Sequence, residues 1–329
     1  RYPNAVLARR REGSSVRLVT FRALDGSSHV GLKQKDGTTV DLTVGAALQG
    51  WPRLADVQDV LSIGEDWGAA VEQLAAWALE SPQGEGIVPI NETSLLAPLG
   101  TRSLILGSGG NFRTHRKEMS AGAAVPVKAP EHPRGFIKNC ASVIGDKEPI
   151  RIPRSCPDMV DYEGEVAVVI GRRCFEAAEG SGRDYIAGYT LLNDVSARDF
   201  VPAVRAAATG RDAIDAWERN IMCKQFPTFC PIGPEFVSSD EIARDEEIDL
   251  RTVVNVDVRQ EATLADLEFD LDQLVVHYSQ YYLLRPGDIV TTGTPSGVAV
   301  GMASPAFLRP GDRVVVESSM LGTLSNEVV

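Results

Sequence analysis

The chain has 329 residues, with 33 basic and 45 acidic side chains, a formal charge of −12 and a hydrophobic share of 43 %. Such a size and composition describe one large globular unit, or a small unit joined to a larger one, and they exclude a disordered chain. No apolar run approaches the ~18 residues of a membrane-spanning helix, and the acidic balance argues against a nucleic-acid partner, which asks for a basic face.

Residues 15–43 read as short strands: an alternating run Val16–Phe21, a second run His29–Lys33, a Lys35-Asp36-Gly37 turn and a third run Thr39–Leu42. Two helical stretches follow. In the second, Trp67, Val71, Leu74, Ala75, Ala78 and Leu79 recur at helical spacing, with Asp66 near the start. Ser81–Gly86, with Pro82 and Gly84, reads as a linker, so residues 1–90 are expected to form a small N-terminal domain and residues 95–329 a larger one. The Arg9-Arg10-Arg11 run has no apolar segment after it and reads as no secretory signal. Five cysteines without a C-x-x-C pair are expected to be reduced thiols of a cytoplasmic protein. A first residue other than methionine leaves an organelle such as the mitochondrion open.

Beyond residue 95 the pattern changes. Ser103–Leu106 reads as a buried strand running into Gly107-Ser108-Gly109-Gly110-Asn111, and Phe112–Ala121 as a polar helix. Strands are expected at 134–138, 163–170, 186–192, 250–258, 288–293 and 312–317. Asp270–Leu284 forms an amphipathic segment with Leu271, Leu274, Val275, Tyr278, Tyr281 and Tyr282 on its apolar face, the tyrosines being core or a subunit contact. Strands dominate without a strand–helix alternation, which points to a β-rich α+β fold rather than a doubly wound sheet.

Three constellations could carry chemistry. In Asp161-Tyr162-Glu163-Gly164-Glu165, strand alternation puts Glu163 and Glu165 on one face, about 6.6 Å apart along the chain. Two such acids repel unless a cation or a proton sits between them. Hard oxygen ligands suit Mg²⁺, Mn²⁺ or Ca²⁺ rather than zinc, although an isolated pair is often only a solvated strand start. The run Gly188–Asp199 is an apolar strand ending in Asn193-Asp194, after which Ser196–Asp199 reads as the first turn of a helix. Asp194 is then either a helix cap or a third carboxylate for the same cation. In Gly107–Glu118, a helix would bring His115 and Glu118 into contact. A carboxylate holds the tautomer of a histidine and makes it a better base. The same glycine-rich stretch lacks the Lys-Ser/Thr of a phosphate-binding loop. His29 in a strand, His132 beside Pro133 in a loop and His277, read as a packed or half-exposed helix residue, carry no functional assignment.

Taken in order, these segments resemble the fumarylacetoacetate hydrolase family. The matching motifs are Gly110–Glu118, Gly135–Lys138, Asp161–Glu165, Gly188–Asp199, Lys224 with Cys230–Pro234, and Pro286–Gly297. The resemblance implies a mixed β-sandwich roll with a small N-terminal α/β cap. It implies Glu163, Glu165 and Asp194 as ligands of Mg²⁺, with Mn²⁺ or Ca²⁺ as alternatives, and His115 and Glu118 as a water-activating pair. Lys224, Arg198 and Thr294 would line the pocket of a small anionic 2-oxo acid or 1,3-dicarbonyl substrate, in a homodimer. The expected reaction is hydrolytic C–C cleavage through an enolate, whose negative charge the cation and Lys224 would stabilise. Decarboxylation or enol isomerisation on the same site is the alternative, and a non-catalytic relative that binds a small acid is a third. Phe200-Val201-Pro202 stands where members carry a glutamine, and Pro227 where many carry an aspartate. The pocket is therefore expected to be more apolar or differently shaped. Arg113, Arg116, Lys117, Arg198 and Lys224 are expected to make the site positive.

Overall fold

A computed structural model describes residues 16–81, 86–89, 94–120 and 128–329. The Arg9-Arg10-Arg11 run, residues 82–85 of the expected linker and Ala121 at the end of the expected polar helix lie outside the described residues.

The N-terminal alternation folds as β1 (Arg17–Arg22), β2 (Ser28–Lys33) and β3 (Thr38–Asp41), antiparallel neighbours whose connecting turns place Gly26 and Gly37 at φ of 82° and 88°. β3 runs into α1 (Leu42–Leu48), where one oxygen of the Asp41 carboxylate accepts from the N–H groups of Thr43 and Val44. Its other oxygen lies 2.6 Å from His29 Nδ1. His29 thus has a carboxylate partner that proximity in sequence does not reveal: Asp41 faces Gly31 in the β2–β3 register, on the same side of the ribbon as His29. After α2 (Val57–Leu61), α3 (Trp67–Leu79) buries Trp67, Val71, Leu74, Ala75 and Ala78, as its spacing predicts. It crosses α1 at Gly45, where a Cβ would stand 2.1 Å from Leu74 O. β4 (Ile87–Pro89) pairs with β3, and β5 (Ser94–Leu96) with β1.

The next elements are β6 (Ile105–Ser108), α4 (Arg113–Ser120), β7 (Gly135–Lys138), β8 (Val143–Ile144), β9 (Val160–Asp161), β10 (Gly164–Ile170) and β11 (Ile186–Asn193). Then come β12 (Ser196–Ala197), α5 (Val201–Ala206), α6 (Gly210–Met222), β13 (Cys230–Ser238), β14 (Asp249–Val254) and β15 (Asp257–Thr263). α7 (Leu271–Ser279), β16 (Ile289–Thr291), β17 (Arg313–Ser318) and β18 (Gly322–Glu327) complete the chain. The main sheet runs β4-β3-β2-β1-β13-β11-β10-β16-β6-β7, and a second sheet runs β15-β14-β17-β18. The fold is α+β and rich in sheet.

β10 is buried on both faces, which is why its sequence reads as continuously apolar rather than alternating. Ala167 and Val169 point into a core shared with the N-terminal strands and helices. Val166, Val168 and Ile170 point into a second core against α7 and the smaller sheet, through Leu274, Val275, Leu250 and Val316.

Three expectations need correction, and one strand carried no expectation. The strand expected at 250–258 is a hairpin: Asn255, at φ 59°, and the exposed Val256 form the turn between β14 and β15. Ser196–Asp199 does not open a helix, because Ser196 and Ala197 pair with Asp161 and Val160 of β9 and stay extended. α7 is capped by reciprocal Asp270–Gln273 hydrogen bonds and ends at Ser279. Tyr278 is therefore core, while Tyr281 lies past the helix and is exposed. Finally β13, a central strand, was hidden by Pro231, Gly233 and Pro234, which break the strand pattern.

Candidate metal centre and acid–base pair

β10 and β11 are antiparallel neighbours with Gly164 opposite Asn193, so the residues just outside the pairing, Glu163 and Asp194, meet at one end of the main sheet. Asp194 N donates to Glu163 O at 2.8 Å, and Glu163 N donates to Asn193 Oδ1 at 3.0 Å. Asp194 caps no helix. With Glu165 one step along β10, the three carboxylates each offer an oxygen within 4.8 Å of the others. All three are buried.

Buried carboxylates need compensating charge. Lys224 Nζ donates to Glu163 Oε2 and Asp194 Oδ2, both at 2.6 Å, and to Ser196 Oγ at 2.7 Å. Lys138 Nζ donates to Asp194 Oδ1 at 2.5 Å and to Lys224 O at 2.8 Å. Arg198 donates to Glu163 through Nη2 and to Asp161 Oδ2 through Nε at 3.2 Å. Burial pushes the Glu163 carboxyl up, but Arg198 and Lys224 outweigh it and hold Glu163 well below the ordinary carboxylate range. Burial likewise lowers Lys224, and Asp194 and Glu163 more than restore it. Glu165 goes the other way. Burial, then repulsion from Asp194 and Glu163, raises it well above the ordinary range, and its Oε2 is buried without a hydrogen-bond partner.

The cluster thus holds four carboxylates (Asp161, Glu163, Glu165, Asp194) and three cations (Lys138, Lys224, Arg198), one formal negative charge in excess when all are ionised and none while Glu165 keeps its proton. A hard, all-oxygen donor set with an unpartnered buried oxygen and a carboxyl that only added positive charge would keep ionised fits a divalent cation. The expectation of an intrinsically positive site is corrected in this respect: only with a dication does the cluster reach +1. Arg113 and Arg116 do not contribute, since their guanidinium groups bond Ala265 O and Glu268, and Lys117 is exposed.

The candidate acid–base pair, His115 and Glu118, stands on α4. Asn111 fixes the entry to that helix: its Nδ2 donates to Phe269 O and Thr292 O, both at 3.1 Å, and its Oδ1 accepts from Phe269 N at 3.0 Å. His115 and Glu118 then touch as the helical spacing predicts, Nδ1 to Oε2 at 3.1 Å. A carboxylate only accepts, so Nδ1 carries the proton and Nε2 keeps its lone pair. The second Glu118 oxygen, Oε1, accepts from Gly297 N at 2.9 Å.

Five of the eight residues singled out in the sequence, Glu163, Glu165, Asp194, Arg198 and Lys224, are thus in one contact cluster. Thr294 lies beside it with its hydroxyl already committed, donating to Gly164 O at 2.9 Å and accepting from Gln260 Nε2 at 2.7 Å. His115 and Glu118 stand on α4, which Glu118 Oε1 ties to the loop that carries Gly297. Val201, at the position of the missing glutamine, starts α5. The helices α5 and α6 form the long Arg198–Lys224 connection, with Ile214, Trp217 and Met222 exposed. Sequence reasoning gave no role to Lys138, Asp161 or Gln260. The first two stand inside motifs that were noticed; Gln260, whose Oε1 accepts from Gly164 N at 3.0 Å, left no signal.

Fold and site together define a class: a sheet-rich α+β protein that gathers three buried carboxylates, a donor set able to hold a cation, at the end of two central strands. Within that class, the chain belongs to the fumarylacetoacetate hydrolase family, whose profile, described as Fumarylacetoacetate (FAA) hydrolase C-terminal, matches residues 104–329. The chain is 35 % identical over 316 residues to the mitochondrial oxaloacetate tautomerase of Xenopus laevis, covering 96 % of this chain and 91 % of that protein. It is 33 % identical over 273 residues to the oxaloacetate tautomerase of Bacillus subtilis strain 168, covering 82 % and 85 %. Among solved structures, the 5-carboxymethyl-2-hydroxymuconate delta-isomerase of Mycobacterium smegmatis superposes with a TM-score of 0.66 at 29 % identity, covering 95 % of this chain and 98 % of that one. These relatives are enzymes, and the chain is an enzyme of the same family. Among the described residues no helix is long and apolar enough to cross a membrane, and all five cysteines are free thiols.

Proposed function

We propose that the protein is a divalent-cation-dependent enzyme that interconverts the keto and enol forms of a small 2-oxo diacid of the oxaloacetate type. The observation that carries this reading is the state of the acid–base pair. His115 Nδ1 is committed to Glu118, and the other Glu118 oxygen is committed to Gly297 N–H. That leaves one ring nitrogen to take and return a proton at carbon, which is all a tautomerisation asks of the pair. Hydrolytic cleavage, the outcome favoured by the sequence, also needs a water held for attack on a second carbonyl, and each Glu118 oxygen, already accepting one hydrogen bond, would have to share itself with that water. The names of the two tautomerase relatives support the same choice.

Glu163, Glu165 and Asp194 would hold the cation, Mg²⁺ first and Mn²⁺ or Ca²⁺ as alternatives; when bound, it supplies Lewis-acid stabilisation of the negative charge on the enolate oxygen. Lys224, buried between Glu163 and Asp194, places a fixed positive charge beside that oxygen. Arg198 is held at two of its nitrogens by Asp161 and Glu163 and so offers a pre-oriented fork to a substrate carboxylate. Thr294 acts on the site through Gly164 and Gln260. We read residues 1–90 as a cap, residues 95–329 as the catalytic unit, and the working form as a homodimer in a reducing compartment, cytoplasm or mitochondrion.

The test follows enol absorbance of freshly dissolved enol-oxaloacetate alongside CO₂ and pyruvate release. The reading expects cation-dependent loss of enol without either product. Stoichiometric pyruvate from an acylpyruvate would support hydrolysis instead, and CO₂ from oxaloacetate a decarboxylase.

A further inference from the structure

Tyr162 is the largest side chain fully buried beside the site, and the mechanism above leaves it idle. Its hydroxyl donates to Gly297 O at 3.0 Å. The N–H of the same glycine is the group that holds Glu118 Oε1. Gly297 sits at φ 105°, and a Cβ there would stand 1.8 Å from Arg259 O, so no residue with a side chain fits, and its two backbone groups are held by these hydrogen bonds. Two residues on, Ala299 N and Val300 N donate to the Asp161 carboxylate at 2.8 and 3.1 Å. The segment Gly297–Val300 is therefore a strap. One side bonds Asp161 and Tyr162, which immediately precede Glu163, and the other bonds Glu118 on α4.

We propose that Tyr162 is a positioning residue: through the backbone of Gly297 it fixes the Glu118 carboxylate, and with it the tautomer and orientation of His115, in register with the carboxylate cluster. The inference rests on the functional reading above for its kinetic consequence, but not for its structural one. If the strap lost its Tyr162 bond, Gly297 could turn and Glu118 would no longer be held at Oε1. The Nδ1–H tautomer would then lose its enforced partner, and the ring nitrogen serving as base would be correct only part of the time. The carboxylates keep their own partners on Lys224, Lys138 and Arg198, so cation binding should not change.

The experiment uses Tyr162→Phe in the full chain, which removes one hydroxyl and little volume. The chain has only four histidines, so the side-chain ¹⁵N spectrum is simple, and His115 is assigned by its loss in His115→Gln. Wild type should show His115 as the Nδ1–H tautomer and Tyr162→Phe a mixture of both tautomers. The kcat should fall about 10-fold, approaching ~10²-fold if the base shifts by a full ångström, with KM and the Mn²⁺ Kd within twofold of wild type. Gly301→Ala is the second variant. Its Cβ would stand 2.6 Å from Glu118 Cδ and 2.8 Å from Oε2, so it disturbs the carboxylate directly and should produce the same tautomer mixture with Tyr162 intact. An unchanged His115 tautomer in Tyr162→Phe overturns the proposal, as does a weakened Mn²⁺ Kd with the tautomer preserved, which would make Tyr162 a support for Glu163 instead. If the wild type turned over no enol, the functional reading would fail while the tautomer measurement still decided the strap.

Discussion

Glu165→Gln should have opposite effects on stability with and without the cation. The Glu165 carboxylate has an oxygen within 4.8 Å of oxygens of Glu163 and Asp194. At an effective dielectric of ~20, each such contact costs about 3 kcal/mol if all are ionised. The protein can escape part of that cost by protonating Glu165. The penalty therefore cannot exceed about 1.4 kcal/mol per pH unit above the ordinary value of 4.5, roughly 4 kcal/mol at pH 7.5. No cation is orphaned by the change, because the ammonium of Lys224 bonds Glu163, Asp194 and Ser196. Cation-free Glu165→Gln should then be more stable than wild type at pH 7.5 by about 1–4 kcal/mol. The gap should close toward pH 5. The sign follows from the raised carboxyl: the folded state keeps a proton that the unfolded chain releases, so cation-free wild type loses stability as pH rises from about 4.5 through the raised value. With Mn²⁺ at ~100 times its Kd, wild type should gain about 2.7 kcal/mol, and Glu165→Gln little or nothing. Thermal denaturation in EDTA and in Mn²⁺ across pH 5–8 measures all four states. A lower Tm for the variant in EDTA at pH 7.5, or an equal Mn²⁺ gain in both proteins, would refute the assignment of Glu165 as a ligand held in electrostatic strain.

Other consequences are simpler. Glu118→Gln can still accept from Gly297 N–H, but its amide would donate to His115 Nδ1 and force the ring proton onto Nε2. Turnover should drop ~10²–10³-fold with Tm nearly unchanged, as steady-state assays and calorimetry can check. Arg198→Ala should cost about 3–5 kcal/mol in denaturant unfolding, because it takes from the buried carboxylates of Asp161 and Glu163 the cation they share and leaves Asp161 with backbone N–H partners alone. Arg198→Lys should raise KM for a diacid more than it lowers kcat, since a point charge replaces a two-pronged fork. Val201→Gln should improve kcat/KM for small acylpyruvates relative to oxaloacetate; an unchanged ratio would place Val201 outside the substrate's reach.

What could be read in the sequence was what lies close along the chain. Glu163, Glu165 and Asp194 sit at the ends of two strongly apolar strands, so strand alternation and one hairpin-like register suffice to bring them together. His115 and Glu118 are one helical turn apart. Residues whose roles depend on distant partners stayed hidden. Lys138 meets Asp194 across 56 residues, and Gln260 meets Gly164 across 96. The charge of the site was misjudged for the same reason. Arg116 looked like part of a basic patch, yet its partner Glu268 comes from a loop 152 residues away. Local signals also misled where pairing overrides them. Ser196–Asp199 has the composition of a helix start, but β9 claims Ser196 and Ala197 and thereby places Asp161 under Arg198.

The most direct test of the whole account is the decay of enol-oxaloacetate with purified wild type and with Glu163→Gln, each titrated with Mn²⁺ or Mg²⁺ from an EDTA-treated state. The account predicts that wild type accelerates ketonisation in proportion to cation occupancy, releasing neither CO₂ nor pyruvate, and that Glu163→Gln loses at least ~10²-fold of that rate. Ketonisation that persists undiminished in EDTA, or in Glu163→Gln, would contradict it.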